Sequence, residues 1–178
     1  MKIEKFHHVA YRCKDAKQTV EFYGRVMGME LIGAIAEDMA PRFKAFGMRV
    51  VGISRTNRPV PGFDRIYSRE EMAQAAAELD YFVLLVPFEK ATHNIVNDKV
   101  LFAMKPTSFL INLARGGVLD EAALIEHLQA GKIAGAGLDI FSTQPLPADN
   151  PLWRMPNVII SPHNASASTG NEPRCAEM

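Results

Sequence analysis

From residue 45 onward, short apolar runs alternate with stretches of helical periodicity, and no other feature constrains the fold of this chain as much. A strand buried on both faces reads as an unbroken apolar run, and a crossover helix repeats its apolar residues every three or four positions. Alternation of the two implies a parallel sheet with helices packed on it. Residues 48–53 read as the first such strand, and Ser68-Arg69-Glu70-Glu71 has capping-box spacing and opens a helix through Leu79. Residues 81–86 form a buried strand stopped by Pro87, and residues 93–105 carry Ile95, Val96, Val100, Leu101 and Met104 at helical spacing. Residues 108–113 return as a strand, residues 120–130 form a helix closed by Gly131, and residues 133–140 and 157–161 complete a series of at least five strands.

The leading segment has a different texture. Residues 6–12 alternate as a strand, and Asp15 with Gln18 caps a helix whose Ala16, Val20, Tyr23 and Met27 share one face before Gly28. Residues 30–36 fit either another strand or a strand-turn-helix transition, and Pro41 makes any helix through it irregular. Pro59, Pro61 and Gly62 make residues 57–63 a loop, and the tail after Ser168 is expected to fray.

Composition narrows the partners. At 178 residues and 48% hydrophobic, the chain supports one sizeable core and not two full enzyme domains. Its 20 Lys plus Arg balance 20 Asp plus Glu, so no net field draws it to nucleic acid or to an anionic membrane. Cys13 and Cys175, one near each end, argue against a disulfide framework and fit a reducing compartment. No apolar run approaches the roughly 20 residues of a membrane helix, and Met1-Lys2-Ile3-Glu4-Lys5 opens no signal-peptide core. The expectation is a cytoplasmic protein acting on small molecules.

Arg115 follows the apolar run that ends in Ile111-Asn112-Leu113-Ala114, and an arginine fork so placed can grip a carboxylate through two parallel hydrogen bonds. A histidine can titrate near neutral pH, so His163, in Ser161-Pro162-His163, is a candidate proton carrier. Asp139 either caps a strand end or lines the crevice that forms at strand C-termini in open α/β sheets. Together these residues suggest acid-base chemistry on a small anion.

Residues 43–168 resemble the NAD-binding domain of the D-isomer-specific 2-hydroxyacid dehydrogenases. The resemblance rests on ordered blocks: Phe46-Gly47-Met48-Arg49-Val50, Val86-Pro87, Met104-Lys105-Pro106, Asn112-Leu113-Ala114-Arg115-Gly116-Gly117, Gly137-Leu138-Asp139-Ile140-Phe141, Pro145-Leu146-Pro147 and Ser161-Pro162-His163-Asn164-Ala165. It implies an incomplete Rossmann-like parallel sheet and hydride transfer between a nicotinamide and a 2-oxo or 2-hydroxy acid. By the same resemblance, Arg115 holds the substrate carboxylate and polarises the carbonyl, and His163 exchanges the proton. Gln144 stands where the family has the glutamate that pairs with this histidine, and a neutral partner holds an imidazolium less firmly. Gly33, Ser54, Arg55, Val86, Pro87, Leu113, Ala114 and Asp139 are the expected cofactor contacts.

The aligned glycine loop is Leu31-Ile32-Gly33-Ala34-Ile35-Ala36, in which Gly33 is retained and Leu31 replaces the tight-turn glycine. Ser54-Arg55-Thr56 replaces the acidic residue expected after the second strand, which favours NADP over NAD. The family's substrate domain, built mostly from residues preceding the Rossmann domain, has no counterpart in the blocks matched.

Residues 6–40 resemble instead the first module of the vicinal-oxygen-chelate (glyoxalase and bleomycin-resistance) superfamily, through Phe6-His7-His8-Val9-Ala10-Tyr11-Arg12 and Glu21-Phe22-Tyr23-Gly24-Arg25. There His8 would be one metal ligand, and the modules supplying the others are missing. The expected organisation is a glyoxalase-like β-α fragment at 1–42, a truncated NAD(P)-binding Rossmann domain at 43–168 and a tail at 169–178. The rivals to a dehydrogenase are a metal-dependent glyoxalase or dioxygenase fragment, and an inert chimeric module that dimerises through an exposed sheet edge.

Overall fold

The computed structural model describes residues 34–55 and 58–163, with side chains from Met39 onward. The strand at 6–12, the helix at 15–27, the metal-ligand candidate His8, Leu31, Gly33 and the tail lie outside the described residues.

Helix α1 spans Ala34–Ala45, so the ambiguous stretch at 30–36 is helical from Ala34. Pro41 sits inside it and removes one backbone donor. Strand β1 (Val51–Ser54) pairs in parallel with β2 (Arg65–Ser68), Ser54 opposite Ser68. Helix α2 (Met72–Ala76) leads to β3 (Tyr81–Leu84), α3 (Asp98–Ala103) to β4 (Phe109–Asn112), α4 (Glu121–Gln129) to β5 (Gly135–Leu138), and a short 3-10 turn (Pro151–Arg154) to β6 (Val158–Ile160). These four strands form a parallel sheet in the order β3-β4-β5-β6. Among the described residues the parallel strands therefore form two sheets.

Burial follows the two-residue period of the strands. Phe82, Leu84 and Leu110 face a large cluster with Leu101 of α3 and Leu124 of α4. Val83 and Ile111, one position along, face a second cluster with Ala40 and Phe43 of α1. Helices therefore cover both faces, as the unbroken apolar runs predict. Ile53 and Tyr67 join the large cluster, so one core runs beneath both sheets. Each such fully buried apolar side chain contributes roughly 1.5–3 kcal/mol relative to exposure.

Three local expectations change. Strand β2 was not anticipated: Arg65 is exposed and Tyr67 buried, so this edge strand shows little of an apolar run, and its Ser68 reads as a cap. Ser68 does accept from the Glu71 amide at 3.3 Å and Glu71 accepts from the Ser68 amide at 2.8 Å, but the helix they introduce ends at Ala76 and not Leu79. The helix expected over 93–105 begins only at Asp98, with Asn97 as its cap. The Asn94 and Val96 amides bond to the Gly117 and Val118 carbonyls, and Val96 O accepts from Asp120 N, which holds this segment outside helical geometry. The helix expected at 120–130 forms with Asp120 as N-cap, accepting from Ala123 N at 3.1 Å, and Gly131 closes it at φ +63°.

Polar pairs concentrate around β1 and β2. Lys44 bonds Asp64, Arg49 bonds Glu78 at 2.8 Å, the Tyr67 hydroxyl donates to the other Glu78 oxygen, and the Arg65 guanidinium lies 4.0 Å over the Tyr67 ring. The Tyr67 and Arg49 bonds hold the Glu78 carboxyl below its ordinary range. Burial, reinforced by Glu78, pushes the Tyr67 phenol up. The Lys44 bond does for Asp64 what the Ser68 bonds do for Glu71, lowering each carboxyl.

Candidate active site

Within each parallel sheet the strands end at one edge, and the residues singled out in the sequence follow the C-terminal ends of strands in the two sheets. Ser54 ends β1 and exposed Arg55 follows it; Val86 and Pro87 follow β3; Leu113, Ala114 and Arg115 follow β4; Asp139 follows β5; His163 follows β6. Open α/β sheets bind ligands in the crevice outside their strand C-termini.

Hydrogen bonds fix the loops at this edge. Asn112 Oδ1 accepts from Ala114 N at 3.0 Å, and its amide group donates to Arg115 O at 3.3 Å, a turn that brings Arg115 up from the strand end. The Arg115 side chain is exposed and one Nη donates to Ala114 O at 2.6 Å. Gly116 then passes so close to the loop after β5 that a Cβ there would lie 2.1 Å from Phe141 O. Only glycine permits this approach of the β4 and β5 loops.

The β5 and β6 loops are tied in the same way. Asp139 is 1% exposed, its amide donates to Asn112 O at 3.1 Å and its carboxylate accepts from the Ser161 hydroxyl. His163 N donates to Asp139 O at 2.9 Å, and His163 adopts φ +53°, a left-handed conformation that a β-carbon disfavours. The exposed ring is held from the other side, for its Nδ1 lies 2.9 Å from Gln144 Oε1. Gln144 in turn donates to Phe141 O at 3.3 Å. His163, Gln144, Asp139, Ser161, Leu146 and Trp153 are among the residues lining one cleft of about 590 Å³.

Of the sequence-predicted residues, His163, Gln144 and Asp139 thus meet in one cleft. Arg115 follows β4 through the Asn112 turn without lining that cleft; Val86 and Pro87 follow β3, Ser54 and Arg55 stand at the end of β1 in the other sheet, and Gly33 and His8 lie outside the described residues. Three contributors were not identified from sequence: Asn112, Ser161 and Trp153. Asn112 carried a signal, a polar side chain closing an otherwise apolar strand.

A family model described as D-isomer specific 2-hydroxyacid dehydrogenase, NAD binding domain, matches residues 3–165, a span that includes residues 6–40. A glyoxylate reductase of Thermococcus gammatolerans is 39% identical over 158 residues, covering 89% of this chain and 47% of the relative. The chain thus spans about half the length of the curated relatives it matches. A D-isomer specific 2-hydroxyacid dehydrogenase from Xanthobacter autotrophicus, solved with NADPH and MES, superposes with TM-score 0.77 at 30% identity, over 95% of this chain and 77% of that one. An NADPH-dependent glyoxylate/hydroxypyruvate reductase from Sinorhizobium meliloti, solved with NADP and sulfate, gives 0.74 at 30% identity over 82% of this chain and 48% of that one.

Proposed function

The chain belongs to the D-isomer specific 2-hydroxyacid dehydrogenase family, and on that premise we propose that it is the NAD(P)-binding part of an oxidoreductase that moves a hydride between a nicotinamide and a small 2-oxo or 2-hydroxy acid. The observation that carries this reading is the His163–Gln144 hydrogen bond in a cleft at the strand C-termini, one loop from Arg115.

The residues fit a dinucleotide. Exposed Arg55 follows β1, where Ser54-Arg55-Thr56 stands in place of an acidic residue, and this supports NADP over NAD. Ser54 and Arg55 would hold the adenosine ribose, Gly33 would approach the pyrophosphate, and Val86, Pro87, Leu113, Ala114 and Asp139 would line the remainder. When bound, the nicotinamide supplies or accepts the hydride.

The remaining chemistry falls to side chains. Arg115 pairs with the substrate carboxylate and polarises the adjacent carbonyl. Gln144 Oε1 can only accept, so Nδ1 of His163 keeps its proton and Nε2 becomes the atom that gives a proton to the carbonyl oxygen or takes it back.

Arg115→Ala and His163→Ala should each lower kcat/KM for NADPH-dependent reduction of a 2-oxo acid such as glyoxylate by about 10²–10⁴-fold. An unchanged rate in either variant refutes its role. Gln144→Glu should raise the His163 pKa and extend reduction to higher pH; an unmoved pH-rate profile contradicts the pairing.

The partners on this reading are a nicotinamide dinucleotide and a small 2-oxo or 2-hydroxy acid, in the cytoplasm, with no role for nucleic acid or membrane. No helix among the described residues is long and apolar enough to cross a membrane. A metal-dependent activity of a glyoxalase-like leading segment would rest on His8, and stoichiometric metal uptake after chelation and reloading would favour it. A non-enzymatic homodimer requires a dimer in light scattering, and a monodisperse monomer contradicts it.

A further inference from the structure

The ladder between β1 and β2 sets Ser54 opposite Ser68, so the next residues, Arg55 and Arg69, leave neighbouring strand ends. Adjacent strands lie about 4.8 Å apart, close enough for two arginine forks to meet one anion. The two arginines differ. Arg55 is exposed, whereas the Arg69 side chain is 15% exposed and its Nε is buried with no hydrogen-bond acceptor among the described residues. A buried guanidinium N–H without an acceptor is costly, and an orphan N–H calls for a reason. Its ion pair among the described residues is loose: Nη2 stands 3.7 Å from Oε1 of Glu89, beyond hydrogen-bond length, and Glu89 belongs to the loop that follows Val86 and Pro87. Arg69 is thus a largely buried, under-satisfied cation that follows the strand next to β1 and contacts the loop after β3.

We propose that Arg69 is a second cofactor-specificity residue, which together with Arg55 receives the 2′-phosphate of NADP, with the Glu89 carboxylate standing beside Arg69 until the phosphate arrives. This rests on the reading of the chain as NAD(P)-binding. A phosphate offers three acceptor oxygens and close to two negative charges, enough for both guanidiniums, and it can take up the Arg69 N–H groups that Glu89 leaves free. NAD has a hydroxyl at that position and gains nothing comparable from Arg69. Glu89 repels the phosphate, so the two members of this ion pair should act on NADPH affinity in opposite directions. A staple that only ties the β3 loop to the end of β2 would make them act alike.

Calorimetric titration of the full chain with NADPH, NADH and 2′,5′-ADP separates these outcomes. Arg69→Met should weaken NADPH and 2′,5′-ADP about tenfold or more and leave NADH unchanged; Arg69→Lys should recover part of the loss. Glu89→Gln, which keeps an acceptor oxygen in place, should tighten NADPH a few-fold. An unchanged NADPH-to-NADH ratio in Arg69→Met overturns the proposal, and so does equal weakening of both nucleotides by both variants. If Arg69→Met does not fold, Arg69→Lys and Glu89→Gln carry the same test. Wild-type protein that binds neither NADPH nor NADH refutes the NAD(P)-binding reading itself, a result distinct from binding without discrimination.

Discussion

The β1–β2 sheet and the β3–β6 sheet are both parallel, but they are held by different forces. Strands β3 and β4 are buried on both faces, and the loops that follow β4, β5 and β6 are pinned by bonds among Asn112, Ala114, Asp139, Ser161 and His163. Strand β2 begins exposed, and its surroundings depend on pairs between charged or phenolic groups, Lys44–Asp64, Arg49–Glu78, Tyr67–Glu78 and Arg69–Glu89. Apolar burial is insensitive to pH and strengthened by excluded salts, whereas surface pairs titrate and are screened. The edge assigned to proton transfer therefore stands on the more robust part of the fold, and the edge assigned to the adenosine end on the part that responds to pH and salt.

The largest expected effect tests the four-stranded part. Phe82→Ala removes a ring buried completely in the main cluster and should cost about 3–5 kcal/mol in urea unfolding; a loss below about 1 kcal/mol would break the contrast. Next, Gly116→Ala drives a methyl group into the Phe141 carbonyl and should cost about 1–3 kcal/mol. It should also separate the β4 and β5 loops, so fluorescence of Trp153, in the cleft that Phe141 also lines, should change with it.

The smaller effects belong to β1–β2. Tyr67→Phe should cost about 0.5–1.5 kcal/mol at neutral pH, the usual worth of one hydrogen bond. Glu78, Glu71 and Asp64 have lowered folded pKa values, so between folded and unfolded pKa the unfolded chain binds more protons and stability rises with pH. Their contribution is complete above the ordinary carboxyl values of 4.5 and 3.8 and is lost as pH falls through the folded ones. Glu78→Gln should flatten this acid limb in urea midpoints measured against pH. Tyr67 has the opposite sign: its raised pKa gives a contribution present below the ordinary 10.0 and lost as pH rises through the folded value. An acid limb equally steep in wild type and Glu78→Gln would remove Glu78 from the account.

The same division decides what the sequence could reveal. Strands β3 and β4, buried on both faces, read directly as apolar runs, and Asp120 and Gly131 marked the ends of α4 because capping chemistry is local. Arg115, Asp139 and His163 were legible for the same reason, since each follows such a run. Strand β2 was hidden because an edge strand with Arg65 exposed and Tyr67 buried takes its register from a partner and not from its own pattern. The helix at 93–105 was overextended because Asn94 and Val96 bond to residues 117–120, a tertiary pairing that helical spacing cannot foresee. Ser161 and Arg69 gained meaning only from what lies across from them, Asp139 and Glu89.

Trp153, the single tryptophan of the chain, lines the cleft that holds His163 and Gln144, and so offers a direct test that the strand C-termini bind a nicotinamide dinucleotide. Energy transfer from Trp153 to NADPH should appear as nicotinamide emission on tryptophan excitation, rise with added NADPH and saturate. Emission that grows only linearly to millimolar NADPH, with no saturable component, would contradict the account.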